Sequence, residues 1–126
     1  MTLVHLDTDF LVKAVSTAGN ERARLLVLAG QETSIAMSVI AWYEFARGPR
    51  TPEQLALASM FIEEDDVVAF DAVLAQIAAE TFRRLGSPRR RANDIAIGTT
   101  AAAERAILWT LNAQDFVGVP ELQVGP

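Results

Sequence analysis

Leu3-Val4-His5-Leu6-Asp7-Thr8-Asp9 is the stretch from which the fold of this chain can be read. A short apolar run ends on a carboxylate, and a hydroxyl and a second carboxylate follow at once. The run is too short for a helix and apolar on both faces, which is the pattern of a strand buried within a parallel sheet. His5 inside it is expected to be a packed core residue. From Thr8 to Ser16 the spacing becomes helical, with Phe10, Leu11 and Ala14 on one side. A strand that passes directly into a helix is the first half of a βαβ unit.

The alternation continues outward from this stretch. Asn20 is a candidate N-cap for a helix to Ala29, stopped by Gly30. Ser34–Met37 reads as a second strand, and Ser38 as the cap of a helix that ends at Gly48-Pro49. Thr51-Pro52-Glu53 combines a cap, a proline in the first turn and an acidic residue, so another helix starts there. Val67–Phe70 is a third strand, and Asp71 caps a long helix to Leu85, closed by Gly86 and Pro88. Asn93-Asp94 open a helix to Arg105, Ile107–Leu111 is a fourth strand, and Leu122–Val124 is a candidate fifth. Strands separated by helices imply an α/β fold: three layers, α/β/α, around a central, mostly parallel sheet of four to five strands. The crossovers are expected to be right-handed. No repeat, linker or low-complexity tract divides the chain, so residues 1–126 are expected to form a single domain.

Composition excludes several kinds of chemistry. The chain has no cysteine, which removes disulfides, thiolate metal sites and cysteine nucleophiles. It has one histidine, so no site can use two. The net charge of −5 argues against nucleic-acid binding by general basicity, although not against contact through a metal and local arginines. Ten of the eleven basic residues are arginines, and Arg89-Arg90-Arg91 stand just before Asp94. No apolar run approaches membrane-spanning length and no secretory leader is evident, so a cytoplasmic protein with no membrane partner is expected. The lone Lys13 follows no glycine-rich loop, and no G-x-S-x-G elbow is present.

What remains is acidic. Asp7 closes the first strand, Glu44 lies on the helix after the second, Asp94 opens an alanine-rich helix, and Asp115 follows the fourth strand. Each has an ordinary explanation when taken singly. Thr8 or Asp9 could cap a helix, Glu44 could pair with Arg47 three residues on, Asp94 could favour a helix dipole, and Asn112 and Asp115 could build a turn. Taken together they fall where an open α/β sheet places its functional crevice, outside the carboxyl ends of the strands. Carboxylates gathered there repel one another unless a divalent cation neutralises them.

With these residues placed, the whole chain resembles the PIN-domain ribonucleases, and among them the VapC-type toxins of toxin–antitoxin pairs. The resemblance rests on Leu6-Asp7-Thr8, on Ser38 through Glu44 to Gly48, and on Asn93-Asp94-Ile95-Ala96-Ile97. It rests also on Thr110-Leu111-Asn112 running into Asp115-Phe116 and Val119-Pro120-Glu121-Leu122. It implies a PIN-like fold, dependence on Mg²⁺ or Mn²⁺, and endonucleolytic cleavage of an RNA (tRNA, rRNA or mRNA). It implies as partners a cognate antitoxin protein that covers the site, often inserting an arginine, and a second copy in a homodimer. Asp7, Glu44 and Asp94 match the family's three acidic positions, with Asp7 and Asp94 as principal metal ligands. Two positions depart from the pattern. Asp9 stands where the family often has asparagine or serine. Asn112 stands where many relatives have aspartate, which leaves the fourth acid open between Asp115 and a water-mediated Asn112.

The expected chemistry is metal-assisted in-line attack of water on a phosphodiester, with Glu44 orienting the water or binding a second metal. Thr8 and Thr110 are candidates to support the ligands, and Arg91 with its neighbours to draw in phosphate. Two alternatives stand beside it. Asp7-Thr8-Asp9 also looks like the D-x-D of HAD-type phosphohydrolases, although no later lysine completes that site. The acids could instead make a non-catalytic interaction domain for a basic partner.

Overall fold

The computed structural model describes residues 2–126. Its elements follow in the order β1 (Thr2–Leu6), α1 (Thr8–Ser16), α2 (Asn20–Ala29), β2 (Thr33–Ser38), α3 (Val39–Ala46), α4 (Pro52–Phe61), β3 (Val67–Val68), α5 (Ala72–Arg84), α6 (Ala92–Ala103), β4 (Ile107–Trp109) and β5 (Gln123–Gly125). The five strands form one sheet in the order β3-β2-β1-β4-β5, every neighbouring pair parallel. Helices cover it in a three-layer α/β/α arrangement, with α1 against α2, α3 and α4, and α5 against α6. No helix among the described residues is long and apolar enough to cross a membrane.

Strand order explains where a site can form. From β1 the chain builds outward through β2 and β3, then returns to place β4 and β5 on the other side of β1. The loops leaving β1 and β4 therefore diverge to opposite faces and open a crevice at the carboxyl ends of these two strands. The floor beneath it is apolar. Val4, Leu6, Phe10, Leu11, Met37, Phe45, Ile97 and Leu108 are buried in one cluster. His5 is fully buried, with Nε2–H donating to Glu104 Oε1 at 3.1 Å, and burial holds its pKa below the usual histidine value against that partner's pull.

Most element boundaries lie within two residues of the sequence expectation, because most are set by local chemistry. Ser38 accepts from Ile40 N, Asp71 from Leu74 N, and Thr51 and Gln54 form a reciprocal capping box behind Pro52. Some details differ. Asp7 itself caps α1, accepting from Thr8 N, rather than Thr8 or Asp9. Asn20 is the first helical residue of α2 and makes no capping bond; Gly19 precedes it. The third strand stops at Val68 and the fourth at Trp109, since chain pairing, which periodicity cannot register, ends there. Gly98 lies where α6 meets the C-terminal segment. A Cβ there would lie 3.1 Å from Leu122 and 3.2 Å from Phe116, so this glycine admits the C-terminal segment.

Candidate active site

Asp7 is the joint of the site. Its backbone N–H donates to Trp109 O at 2.9 Å, extending the β1–β4 pairing one residue past the strand. Its side chain turns to cap α1, with Oδ1 accepting from Thr8 N at 2.8 Å. Oδ2 accepts from the Thr110 hydroxyl, also at 2.8 Å, at the end of β4. Two strands and a helix thus hold this carboxylate, which is only 5% exposed. Burial is the main cause that raises its pKa to about 7; Asp9 adds to the rise, the Thr110 and Thr8 bonds oppose it, and Asp94 adds a little.

Asp94 lies in the first turn of α6, half-buried. Its pKa rises to about 6, first through burial, then through the charges of Asp115, Glu44 and Asp9, with Arg91 opposing. The five carboxylates therefore share one electrostatic environment, although they come from four separate parts of the chain. They line one open cavity of about 720 Å³ together with Thr8, Asn112, Lys13 and Arg47.

Glu44 and Asp9 are held by neutral donors. Glu44 Oε1 accepts from the Thr8 hydroxyl at 2.9 Å and Oε2 from the Asn93 amide at 3.2 Å; it does not pair with Arg47. Asp9 accepts from Leu111 N at 3.4 Å and from the side-chain amide of Asn112. Asn112 is tied three ways: its side chain to Asp9, its N–H to the Thr110 hydroxyl at 3.0 Å, and its carbonyl to Asp115 N at 3.0 Å. Arg91 does not reach into the cavity. Its guanidinium donates to the backbone carbonyls of Asp115, at 3.0 Å, and Val117, clamping the turn after β4. Several residues here were not singled out from the sequence. Asn93, beside Asp94, bonds Glu44, and Lys13, Ser16, Thr17 and Arg47 line the cavity wall. The one available signal was spacing: Lys13 is four residues after Asp9, and Arg47 three after Glu44.

The donor set is chemically suited to a hard divalent cation, since every candidate ligand is a carboxylate or hydroxyl oxygen. Among the described residues no group of three or more Asp, Glu or His side chains is arranged to hold a metal ion by itself. Mg²⁺ and Mn²⁺ are compatible with that, because Mg²⁺ commonly takes one or two carboxylates and keeps several waters.

A model of the PIN domain family matches residues 4–121. The chain belongs to the PIN-domain family. PIN domains are generally nucleases and typically depend on a divalent metal. Membership displaces the phosphohydrolase reading of Asp7 and Asp9. No curated protein matches the sequence. Solved structures do match over nearly the full length. VapBC2 of Rickettsia felis, bound to a promoter DNA fragment, superposes with a TM-score of 0.74 at 22% identity, covering 98% of each chain. DNA-bound VapBC of Salmonella typhimurium gives 0.71 at 24% identity, covering 99% of this chain and 98% of the other. A toxin–antitoxin complex from Klebsiella pneumoniae gives 0.69 at 23% identity, covering 100% and 97%. At these identities the likeness establishes the PIN fold.

Proposed function

We propose that this PIN domain is a Mg²⁺- or Mn²⁺-dependent endoribonuclease and the toxin of a toxin–antitoxin pair, one domain over residues 1–126, acting in the cytoplasm. The observation that carries the reading is the convergence of Asp7, Asp9, Glu44, Asp94 and Asp115 on one cavity at the point where the sheet's strand order reverses. Such a gathering costs stability: beyond the effect of burial, Asp9 and Asp94 push the Asp7 pKa up, and Asp115, Glu44 and Asp9 that of Asp94, and a cation would offset this repulsion. The structural neighbours are toxin–antitoxin complexes, which supports an antitoxin partner.

Asp7 and Asp94 would hold the metal, with Asp115, whose charge acts on Asp94, as the candidate fourth acid. A bound divalent cation would supply Lewis acidity at the scissile phosphate and a lowered pKa for coordinated water. The chain's own residues do the rest. Thr110 and Thr8 N orient the Asp7 carboxylate and favour its ionised form against the effect of burial. Glu44, steadied by Thr8 and Asn93, presents a carboxylate that orients the attacking water and accepts its proton. Asn112 and Arg91 set the position of Asp115 by bonding its backbone from both sides. A homodimer would form through the α4 region between Leu55 and Ile62, where Leu55 and Met60 are exposed.

The test is cleavage of a mixed RNA pool by the purified chain, freed of antitoxin, in Mg²⁺, Mn²⁺ or EDTA, wild type against Asp7→Asn and Asp94→Asn. Metal-dependent cleavage lost in both variants supports the reading. Full activity in either variant overturns the assignment of ligands. Absence of cleavage by folded wild type in either metal would favour a non-catalytic interaction domain.

A further inference from the structure

We propose that Lys13 and Arg47 form a basic rim that binds the phosphates flanking the cleaved bond of a single-stranded RNA. This rests on the nuclease reading above and names the part of the site that holds substrate. Lys13 and Arg47 are the two cationic residues on the wall of the acidic cavity. Both are exposed, and among the described residues neither joins an ion pair, despite five carboxylates on the same wall. Glu44 and Asp9 bond Thr8, Asn93, Leu111 N and Asn112 instead, which leaves both cations without an acidic partner. Lys13 lies one helical turn beyond Asp9 on α1, and Arg47 one turn beyond Glu44 at the end of α3. A turn advances the chain about 5.4 Å, a step comparable with the distance between adjacent phosphates of one strand. On both helices, therefore, a carboxylate faces the centre and a cation stands one step further out.

The surroundings of each cation suit a nucleotide strand. Ser16 and Thr17, whose hydroxyls can donate to phosphate, line the cavity beside Lys13. The Arg47 guanidinium lies 5.0 Å from the ring centroid of Tyr43, which is itself 61% exposed. An exposed aromatic ring beside an arginine is a platform for stacking an unpaired base. The arginine run before α6 is not an equivalent rim: Arg91 is committed to backbone carbonyls, and Arg89 and Arg90 do not line the cavity. With the chain at a net charge of −5, phosphate contact has to be local rather than general.

The test uses the full chain and a fluorescent, mixed-sequence oligoribonucleotide. Binding is followed by anisotropy in EDTA and in Ca²⁺, and cleavage kinetics in Mn²⁺, over a salt series. Lys13→Ala and Arg47→Ala are each expected to weaken binding several-fold and to raise KM with kcat unchanged. Each should also make the slope of log affinity against log salt shallower by about 0.7. Tyr43→Ala should weaken binding without changing that slope, and Tyr43→Phe should restore it. Arg24→Ala, the same charge change elsewhere, should leave all of these at wild-type values. Wild-type slopes in Lys13→Ala and Arg47→Ala, or an equal effect from Arg24→Ala, would overturn the rim while leaving the nuclease intact. RNA bound through the rim but never cut would support it and overturn the nuclease reading. No RNA binding by the wild type would overturn both, and a poly-glutamate peptide that alone depends on these residues would assign the rim to a protein partner instead.

Discussion

The hydroxyl of Thr110 donates to Oδ2 of Asp7 at 2.8 Å across 103 residues of sequence. It is the side-chain link between the two strands whose ends form the crevice. The bond favours the ionised carboxylate, which a metal requires. Thr110→Val keeps the shape and removes the donor, so it should weaken Mn²⁺ binding roughly 10- to 100-fold. Thr110→Ser should restore most of it. Titration calorimetry of the three proteins checks this, and unchanged affinity in Thr110→Val would remove Thr110 from the site.

Asp94→Asn should stabilise the metal-free protein while destroying its metal affinity. The acid is partly buried and faces three other carboxylates, and an amide of the same shape removes that repulsion. Thermal unfolding in EDTA should show the Tm of Asp94→Asn raised by a few degrees. Addition of Mn²⁺ should raise the wild-type Tm and leave the variant where it was.

Metal-free stability should fall as pH rises toward and through neutrality. Asp7 holds its proton to about 7 when folded, against 3.8 for the free group, so in this window the folded state binds more protons than the unfolded one. Stability then decreases with pH, by linkage. Asp94 acts in the same sense up to about 6. His5 acts in the opposite sense below 6.5, because its folded pKa is depressed. The opposing contribution of His5 fades as the pH rises through 6.5, so the Asp7 decline becomes steeper there. Urea unfolding in EDTA across neutral pH should show the decline, and Asp7→Asn should make it clearly shallower, leaving the Asp94 part.

Asn112→Asp should set two carboxylates against each other where an amide now donates to Asp9. The loss of stability is expected to be roughly 1 kcal/mol, with some loss of cleavage if repulsion from Asp9 shifts the backbone of residue 112, which bonds Asp115 N and the Thr110 hydroxyl. The double variant Asp9→Asn with Asn112→Asp re-forms an amide–carboxylate bond with the roles exchanged, and should recover the stability. Denaturant midpoints of the two single variants and the double variant decide whether the bond or the individual side chains matter.

The limits of most helices were legible because they depend on neighbours in sequence, whereas the ends of the third and fourth strands were not. The Thr51 capping box, the Ser38 and Asp71 caps and the helical spacing of Phe10, Leu11 and Ala14 are short-range interactions, and they reappear in the structure as read. The gathering of acids at strand ends was legible for a related reason: a parallel α/β sheet leaves its functional crevice at one edge. Sequence alone could not assign partners to the polar atoms. Whether Glu44 bonds Arg47 or Thr8 and Asn93, and whether Arg91 meets phosphate or the carbonyls of Asp115 and Val117, depends on where α6 and the turn after β4 come to rest. The same holds for Gly98, whose missing side chain makes room for Phe116 and Leu122. Caps and periodicity are encoded over a few residues; strand order and side-chain pairing are set by burial of the whole core, and only the folded chain decides them.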